Sequence, residues 1–329
     1  MTLADLAALL MLVALVVYTV TAGADFGGGV WDLLASGPRA AAQRKVIEHA
    51  LAPVWEANHV WLIFVVVVLF TCFPTAYSAA GIALHIPVAL LLLGIVLRGS
   101  AFVFRQYGGA GATNDLAWGR VFAVASVVSP FFLGVIIGAV TSGEIRVQDG
   151  VPTTGYVAGW LGLFPATVGV FALCLFAFLA AVYLTVETDD PALRDDFRAR
   201  AIAAGILLGP LALGTAVASG SAASSFRQTF TGSTWTWPLQ IATGLAAVAA
   251  LAALARRRFR LARALAAAQA GLIVIGWGLA QKPYLIAPDV TIAGAAAPAV
   301  TLGLTLAIVG GGSVLLVPSI VYLFRVFKK

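Results

Sequence analysis

Trp55-Glu56-Ala57-Asn58-His59-Val60-Trp61 opens an apolar run that continues from Leu62 to Phe70. A carboxylate therefore stands at the mouth of a segment that is apolar enough to enter a lipid bilayer. Charged side chains are costly at membrane depth, so they are rare there and usually serve a function. The stretch predicts a membrane span on which Glu56 has a functional role.

The composition excludes a soluble globular domain. Hydrophobic residues make up 61% of the 329 residues, charged residues make up 10%, and the mean hydropathy is +1.00. The first apolar segment, Leu6 to Thr21, lacks the basic start of a signal peptide and is followed by eight more apolar segments, so it is predicted to be the first span. Cys72 and Cys174 have no disulfide or metal spacing and are predicted to be buried small residues.

Nine segments are long enough to cross the hydrocarbon core, which takes roughly 20 helical residues. They cover residues 4–23, 54–73, 79–104, 119–141, 160–186, 201–219, 237–255, 262–280 and 299–325. We predict an all-α integral membrane protein with about nine transmembrane helices in a single polytopic domain, 1–329. The approximate halves 1–142 and 160–280 suggest two four-helix units, and segment 299–325 adds one peripheral helix.

Basic residues lie almost entirely in alternate connections. One side of the predicted membrane domain has only Arg146, Arg227 and Lys282. The other side holds Arg39, Arg44, Lys45, Arg98, Arg105, Arg120, Arg194, Arg198, Arg200, Arg256, Arg257, Arg258, Arg260, Arg263, Arg325, Lys328 and Lys329. By the positive-inside rule the N-terminus is external and the C-terminus cytoplasmic, as an odd number of crossings requires. The basic residues are expected to face anionic lipid head groups rather than nucleic acid.

Four ionisable residues form the candidate site. Asp25 near the end of the first helix and Glu56 near the start of the second both lie near the cytoplasmic face. Arg98, deeper in the same leaflet, can pair with either carboxylate. His59 lies one turn from Glu56, where it either lengthens a proton pathway or makes a hydrogen bond at a subunit contact. Glu56 itself is either a proton carrier or a structural partner of Arg98.

The remaining side chains offer little for a cofactor. The glycines between Gly23 and Gly29 predict close helix packing or a helix end, and not a phosphate-binding loop. His49 is expected in solvent and His85 in a hydrogen bond with a neighbour. With two methionines and two cysteines besides, the chain has no obvious axial haem ligands and no metal site. We predict that this chain binds no haem and no metal.

Four motifs are spread from the first predicted helix to the eighth. They are GADFGGG at 23–29, APVWEANHVWL at 52–62, LRGSAFVFR at 97–105 and WGLAQKPYL at 277–285. With the length, helix count and orientation, this set resembles subunit II of the cytochrome bd-type quinol oxidases, including the cyanide-insensitive branch. The resemblance covers essentially the whole chain.

The resemblance implies a subunit of a terminal respiratory oxidase that oxidises quinol and reduces dioxygen to water in the bacterial cytoplasmic membrane. The haems, two of b type and one of d type or b in its place, are implied to lie in a partner, subunit I, which forms a pseudosymmetric heterodimer with subunit II. Glu56 is implied to serve a proton pathway from the cytoplasm, and Asp25 matches another acidic position. Lipid, small accessory membrane subunits and a structural quinone are further implied partners.

Two positions depart from the family pattern. Val103 stands between Phe102 and Phe104 where the family often has a carboxylate, which alters any charge network that uses it. Lys282 stands where the fourth motif more often has Tyr, which leaves a quinone or lipid contact there open.

Two other functional classes remain at this stage. A proton-coupled secondary transporter also uses intramembrane carboxylates and glycine-interrupted helices, although the two halves lack matching interrupted helices. A purely structural membrane scaffold would give Glu56 no role. Haem bands and quinol-dependent oxygen uptake in the native complex separate an oxidase from both.

Overall fold

A computed structural model describes residues 1–51, 55–107 and 112–327. Side chains are described over the same ranges except at 55–57, 105–107, 112–116, 221, 317, 320, 321, 323–325 and 327.

Twelve helices account for most of the described chain. They are α1 Leu3–Leu33, α2 Ala40–Leu51, α3 Trp55–Cys72, α4 Pro74–Ala83, α5 His85–Tyr107, α6 Ala112–Ser142, α7 Leu163–Leu184, α8 Pro191–Ala222, α9 Ser224–Gly232, α10 Thr236–Ala255, α11 Phe259–Gln281 and α12 Ala299–Phe327. Two short antiparallel hairpins, β1 Val147–Gln148 with β2 Val151–Pro152 and β3 Tyr284–Ile286 with β4 Val290–Thr291, lie between helices. The predicted all-α class is confirmed.

Within the described ranges, eight helices are individually long and apolar enough to span a membrane: α1, α5, α6, α7, α8, α10, α11 and α12. The predicted span 54–73 corresponds to α3, and α3 forms with α4 a pair of helices that is bent by 117° at Phe73. Pro74 starts α4, since it fits the first turn of a helix but cannot continue the preceding one. The predicted number of nine spans agrees with the structure if this bent pair counts as one span.

The predicted third span, 79–104, was wrong as a single helix. The structure ends α4 at Ala83 and begins α5 at His85. Pro87 has no N–H to donate to the Ala83 carbonyl, which explains the interruption. The first, fourth and sixth predicted spans are shorter than the helices that contain them, because α1, α6 and α8 extend beyond the apolar stretches.

Helix α1 is central to the packing. It packs against α7, α3, α6 and α11, whereas α12 packs mainly on α1 and α3. The short helix α2 places its buried side chains, Ile47 and Leu51, against α1. The division into two four-helix units plus one extra helix, 299–325, stays a prediction.

The glycine run lies inside α1 and does not end the helix, so of the two interpretations close packing is confirmed. A Cβ at Gly27 would stand 1.9 Å from the backbone oxygen of Phe176 on α7. A Cβ at Gly23 would stand 2.9 Å from the ring of the same residue. Trp31 on α1 donates from its indole nitrogen to the Ala177 carbonyl at 2.7 Å, which fixes the rotation of α1 against α7.

The next two glycines face two other helices. A Cβ at Gly28 would lie 3.2 Å from Leu51 of α2. A Cβ at Gly29 would lie 2.1 Å from the hydroxyl oxygen of Ser126 on α6. Gly27, Gly28 and Gly29 therefore each allow close contact of α1 with a different helix, α7, α2 and α6 respectively.

Ionic contacts tie the connections together at both ends of the bundle. At the end that carries most arginines, here called the basic end, Arg39 forms two hydrogen bonds of 2.9 and 2.6 Å with Asp196 on α8. Arg198 donates to the carbonyls of Leu254 and Ala255 at the end of α10, at 2.7 and 3.1 Å. These contacts hold α2, α8 and α10 together where the chain leaves the bundle.

At the other end of the bundle, Arg146 makes a bidentate salt bridge with Asp289, with hydrogen bonds of 2.7 and 2.9 Å. The guanidinium of Arg146 holds the pKa of the Asp289 carboxyl below its usual value. A lowered carboxyl pKa contributes stability above the pKa of the unfolded chain, and this stability is lost as the pH falls through the folded value. Lys282, the second departure from the family pattern, pairs with Asp5 at 2.7 Å.

Candidate functional site

The site is a buried polar cluster where α1, α3, α5 and α6 meet. Asp25 is 1% exposed and Arg98 is 2% exposed, so a carboxyl group and a guanidinium group lie buried inside the bundle. Buried charges are tolerated only where they are paired and hydrogen-bonded. The structure brings together the two residues that the sequence indicated as possible partners.

Arg98 has both polar and aromatic neighbours. Its Nη2 donates to the backbone carbonyl of Asp25 at 2.9 Å, and its Nε donates to Ser126 Oγ at 3.1 Å. The Asp25 carboxylate adds a favourable electrostatic interaction. The Arg98 Cζ atom lies 5.1 Å from the ring centroid of Phe26 and 5.3 Å from that of Phe122, within the range of cation–π contacts.

Asn58 holds the Asp25 carboxylate from the side of α3. Its amide Nδ2 donates to Asp25 Oδ2, and the residue is 4% exposed. Sequence reasoning missed this role, although the position of Asn58 in the second motif was a signal for it. Ser126 was missed as well, because a serine within an apolar helix carries no distinguishing pattern.

His59 lies beside the cluster and not in it. Its Nδ1 is 3.5 Å from the Tyr18 hydroxyl, at the long limit of a hydrogen bond, and its ring meets Phe26 edge-on with centroids 5.6 Å apart. The Phe26 ring contacts both His59 and Arg98. A pathway through His59 would therefore need Tyr18, which is fully buried, or water.

Glu56 belongs to the first turn of α3, two residues before Asn58, but its side chain lies outside the described part of the structure. Its predicted function stays a prediction. The side chain of Arg105 at the end of α5 lies outside as well.

The other histidines and the cysteines were also singled out in the sequence. His49 and His85 are exposed, and His85 Nδ1 lies 2.9 Å from the Ile82 carbonyl oxygen. Cys72 and Cys174 are free and buried, as predicted. Among the side chains that the structure describes, no three His, Cys, Asp or Glu residues come together in a way that could hold a metal ion.

The third motif places Val103 on the outside of α5. Val103 is 42% exposed, whereas Phe102 before it is buried, and Phe104 after it stacks on Trp118 at 4.6 Å. The residue that departs from the family pattern thus faces away from the core.

The fourth motif lies at the opposite end of the bundle and anchors α11 to α6. Trp277 Nε1 donates to Thr141 Oγ1 at 2.9 Å. Gln281 Nε2 donates to the Val140 carbonyl at 3.0 Å, and the same carbonyl accepts from Ala287 N at 2.9 Å. The contacts give this motif a structural role.

A large cavity of about 920 Å³ lies between α6, α7, α8, α10 and α11. Its walls are mainly apolar, formed by residues such as Leu133, Phe171, Leu251 and Ile273. Two polar atoms of lining residues, Thr215 Oγ1 and Gln269 Oε1, are buried with no hydrogen-bond partner. The volume is near the top of the range of about 300–1,000 Å³ that is usual for ligand pockets.

The fold and the cluster define a polytopic helical membrane protein with a buried acid–base pair between its helices. The chain belongs to the cytochrome bd terminal oxidase subunit II family, whose model matches residues 3–327. It is accordingly a multi-pass bacterial membrane protein.

Individual relatives are distant. The chain is 27% identical over 188 residues to the cytochrome bd ubiquinol oxidase subunit 2 of Bacillus subtilis, covering 56% of this chain and 53% of that protein. It is 27% identical over 183 residues to the cytochrome bd-I ubiquinol oxidase subunit 2 of Escherichia coli K12, covering 55% and 48%. The matches thus span about half the length of these relatives.

One solved structure shows the same fold. The chain matches a chain of the bd oxidase from Geobacillus thermodenitrificans with a TM-score of 0.82, 22% identity and coverage of 99% of both chains.

Two serines of α6 test the contacts of Arg98. Ser126 and Ser129 are both fully buried, and each donates to the carbonyl four residues earlier, but of these two only Ser126 accepts from Arg98. We expect Ser126→Ala to lower the free energy of unfolding in detergent by about 1.5–3 kcal/mol, as for a hydrogen bond to a charged group. Ser129→Ala is the control, with an expected loss of about 0.5–1.5 kcal/mol. Equal losses would contradict the role given to Ser126.

Proposed function

We propose that the chain is the haem-free subunit II of a terminal respiratory quinol:oxygen oxidoreductase, in which quinol is oxidised and dioxygen is reduced to water. The observation that carries the proposal is the buried Asp25–Asn58–Arg98 cluster in a chain that belongs to this family over residues 3–327. A buried ionisable cluster on one side of a membrane domain is suited to moving protons.

In this proposal the haem-bearing subunit I is the partner that this chain stabilises. Subunit I would hold haem b together with either haem d or a b-type haem at the haem d position. These haems would supply the electron transfer and the oxygen chemistry there. The chain's own contribution would be a route for protons from the cytoplasm. Small accessory subunits stay a prediction, and no observation favours the transporter alternative.

Glu56 is the proposed proton carrier at the start of that route. Support comes from Asn58, two residues later on α3, because its hydrogen bond to Asp25 brings this turn of α3 to the level of the buried acid. Asp25 and Arg98 would follow as network members. His59 would extend the network through Tyr18.

The large cavity supports a structural quinone as a further component. Its apolar walls suit an isoprenoid chain, and Thr215 Oγ1 and Gln269 Oε1 lack hydrogen-bond partners that a polar head could supply. Extraction of the purified complex and analysis of bound quinone would test this assignment.

We further propose that the basic end faces the cytoplasm, since 17 of the 20 basic residues lie in the loops and helix ends assigned to that side. A cysteine at the Arg257→Cys position should resist a membrane-impermeant thiol reagent in intact cells. Arg227→Cys, at the other end, is the control and should react. The reverse labelling pattern would overturn the orientation.

Glu56→Gln tests the proton role. The substitution keeps the shape and most of the hydrogen-bonding capacity but removes the titratable group. We expect slower quinol-driven oxygen uptake at near-normal haem content, and better retained activity in Glu56→Asp. Both quantities are measured in the same membranes.

Two other outcomes are informative. Full activity with full haem content would reject an essential proton role for Glu56. Loss of both would favour a structural pair with Arg98, because breaking a buried ion pair costs about 3–5 kcal/mol.

A further inference from the structure

Asp32 is a second buried acid on α1, and the pathway proposed above does not use it. It is 5% exposed. It lies seven residues after Asp25, which is about 10.5 Å along the helix axis. Gly29 lies between the two acids, and spacings of four and three residues place all three positions on one face of α1.

Ser126 lies against Gly29, which stands between the positions of the two acids on α1. A Cβ at Gly29 would stand 2.1 Å from Ser126 Oγ, so this hydroxyl lies directly against the backbone of α1. The same hydroxyl accepts the hydrogen bond from Arg98. Polar groups therefore continue from the Asp25 cluster through Ser126 toward Asp32, and the missing side chain of Gly29 leaves room for them.

A small cavity lies between Asp32 and Glu48 of α2. Its volume of about 10 Å³ is close to the space that one water molecule needs. The other lining side chains are apolar: Ile47, Leu51, Phe102 and Phe122. Asp32 and Glu48 are the two polar residues of the lining, so a water molecule there would depend on them for hydrogen bonds, and the apolar residues would keep other ions away.

Glu48 is half-buried, so this cavity lies between the surface of the basic end and the buried cluster. Other charged groups near Asp32 are Arg44, which donates to the backbone carbonyls of Asp32 and Ala35 at 3.4 and 3.2 Å, and Arg98 beyond Ser126. Arginine stays protonated in proteins and cannot pass protons on. The groups on this path that can exchange protons are carboxylates, water and a hydroxyl.

We propose that Asp32 is a proton-relay residue that connects Glu48 with the Asp25 cluster through one water molecule in the small cavity. The Glu48 carboxyl gives its proton to the water, which passes a proton to the Asp32 carboxylate and remains water. Asp32 then releases the proton toward Asp25 past Ser126, and Glu48 takes a new proton from solution. This inference deepens the proposed function and rests on it.

Substitutions in the assembled oxidase test the relay. Asp32→Asn should lower quinol-driven oxygen uptake by about tenfold or more, by analogy with the loss of a general acid–base group. Haem content should stay unchanged, and Asp32→Glu should restore most of the rate. Without a buried carboxyl that holds a proton on this path, each proton must come directly from solution, so the rate of Asp32→Asn should fall more steeply with rising pH than that of the wild type. Glu48→Gln should show the same pH effect more weakly.

Asp189→Asn is the matched control. Asp189 is a fully exposed carboxylate at the same end of the bundle and should be dispensable, with the wild-type rate and pH profile. The inference is overturned if Asp32→Asn and Glu48→Gln both behave like this control. It is also overturned if Asp32→Asn loses haem and Glu48→Gln keeps the wild-type pH profile. Absence of quinol-driven oxygen uptake in the wild-type complex would instead refute the proposed function.

Discussion

The close approach of α1 to three neighbours at consecutive glycines is the constraint on which the rest of the structure depends. Gly27 admits the backbone of α7, Gly28 admits α2, and Gly29 admits α6. Helices in a membrane gain little from the hydrophobic effect, so their association depends on van der Waals contact, which small residues permit at short range. Where α1 stands against these helices decides where Asp25 and Asp32 lie.

The buried charges are the consequence of that packing. Arg98 reaches a backbone carbonyl of α1 and a hydroxyl of α6 only because these two helices are in contact beside it. A buried ion pair adds little net stability compared with apolar side chains of similar size. Net stability therefore does not account for the cluster, and we propose the proton-handling role as its function.

Much of this arrangement could be predicted from the sequence, because long apolar runs and the distribution of arginine are strong signals in membrane proteins. Asp25 and Arg98 stood out as charges in apolar segments, and the structure places them together. Asn58, Ser126 and Asp32 did not, because their roles depend on the rotation of one helix against another. The glycine run was ambiguous between close packing and a helix end, since the same residue type serves both. The break at Leu84 was missed inside the predicted span 79–104, whereas the predicted span 54–73 ends at Phe73, where α3 gives way to α4.

The most direct test of the central claim is the free energy of unfolding of three glycine variants in the same detergent. Gly27→Ala should lose about 1–3 kcal/mol or more, as expected for overpacking against a backbone that cannot yield. Gly28→Ala should lose less, because its neighbour is the flexible end of the Leu51 side chain. Gly214→Ala, in α8 with nothing within 4 Å, should be neutral or gain about 0.5–1 kcal/mol from the better helix former. Equal effects at all three positions would contradict the claim that the α1 glycines set the packing.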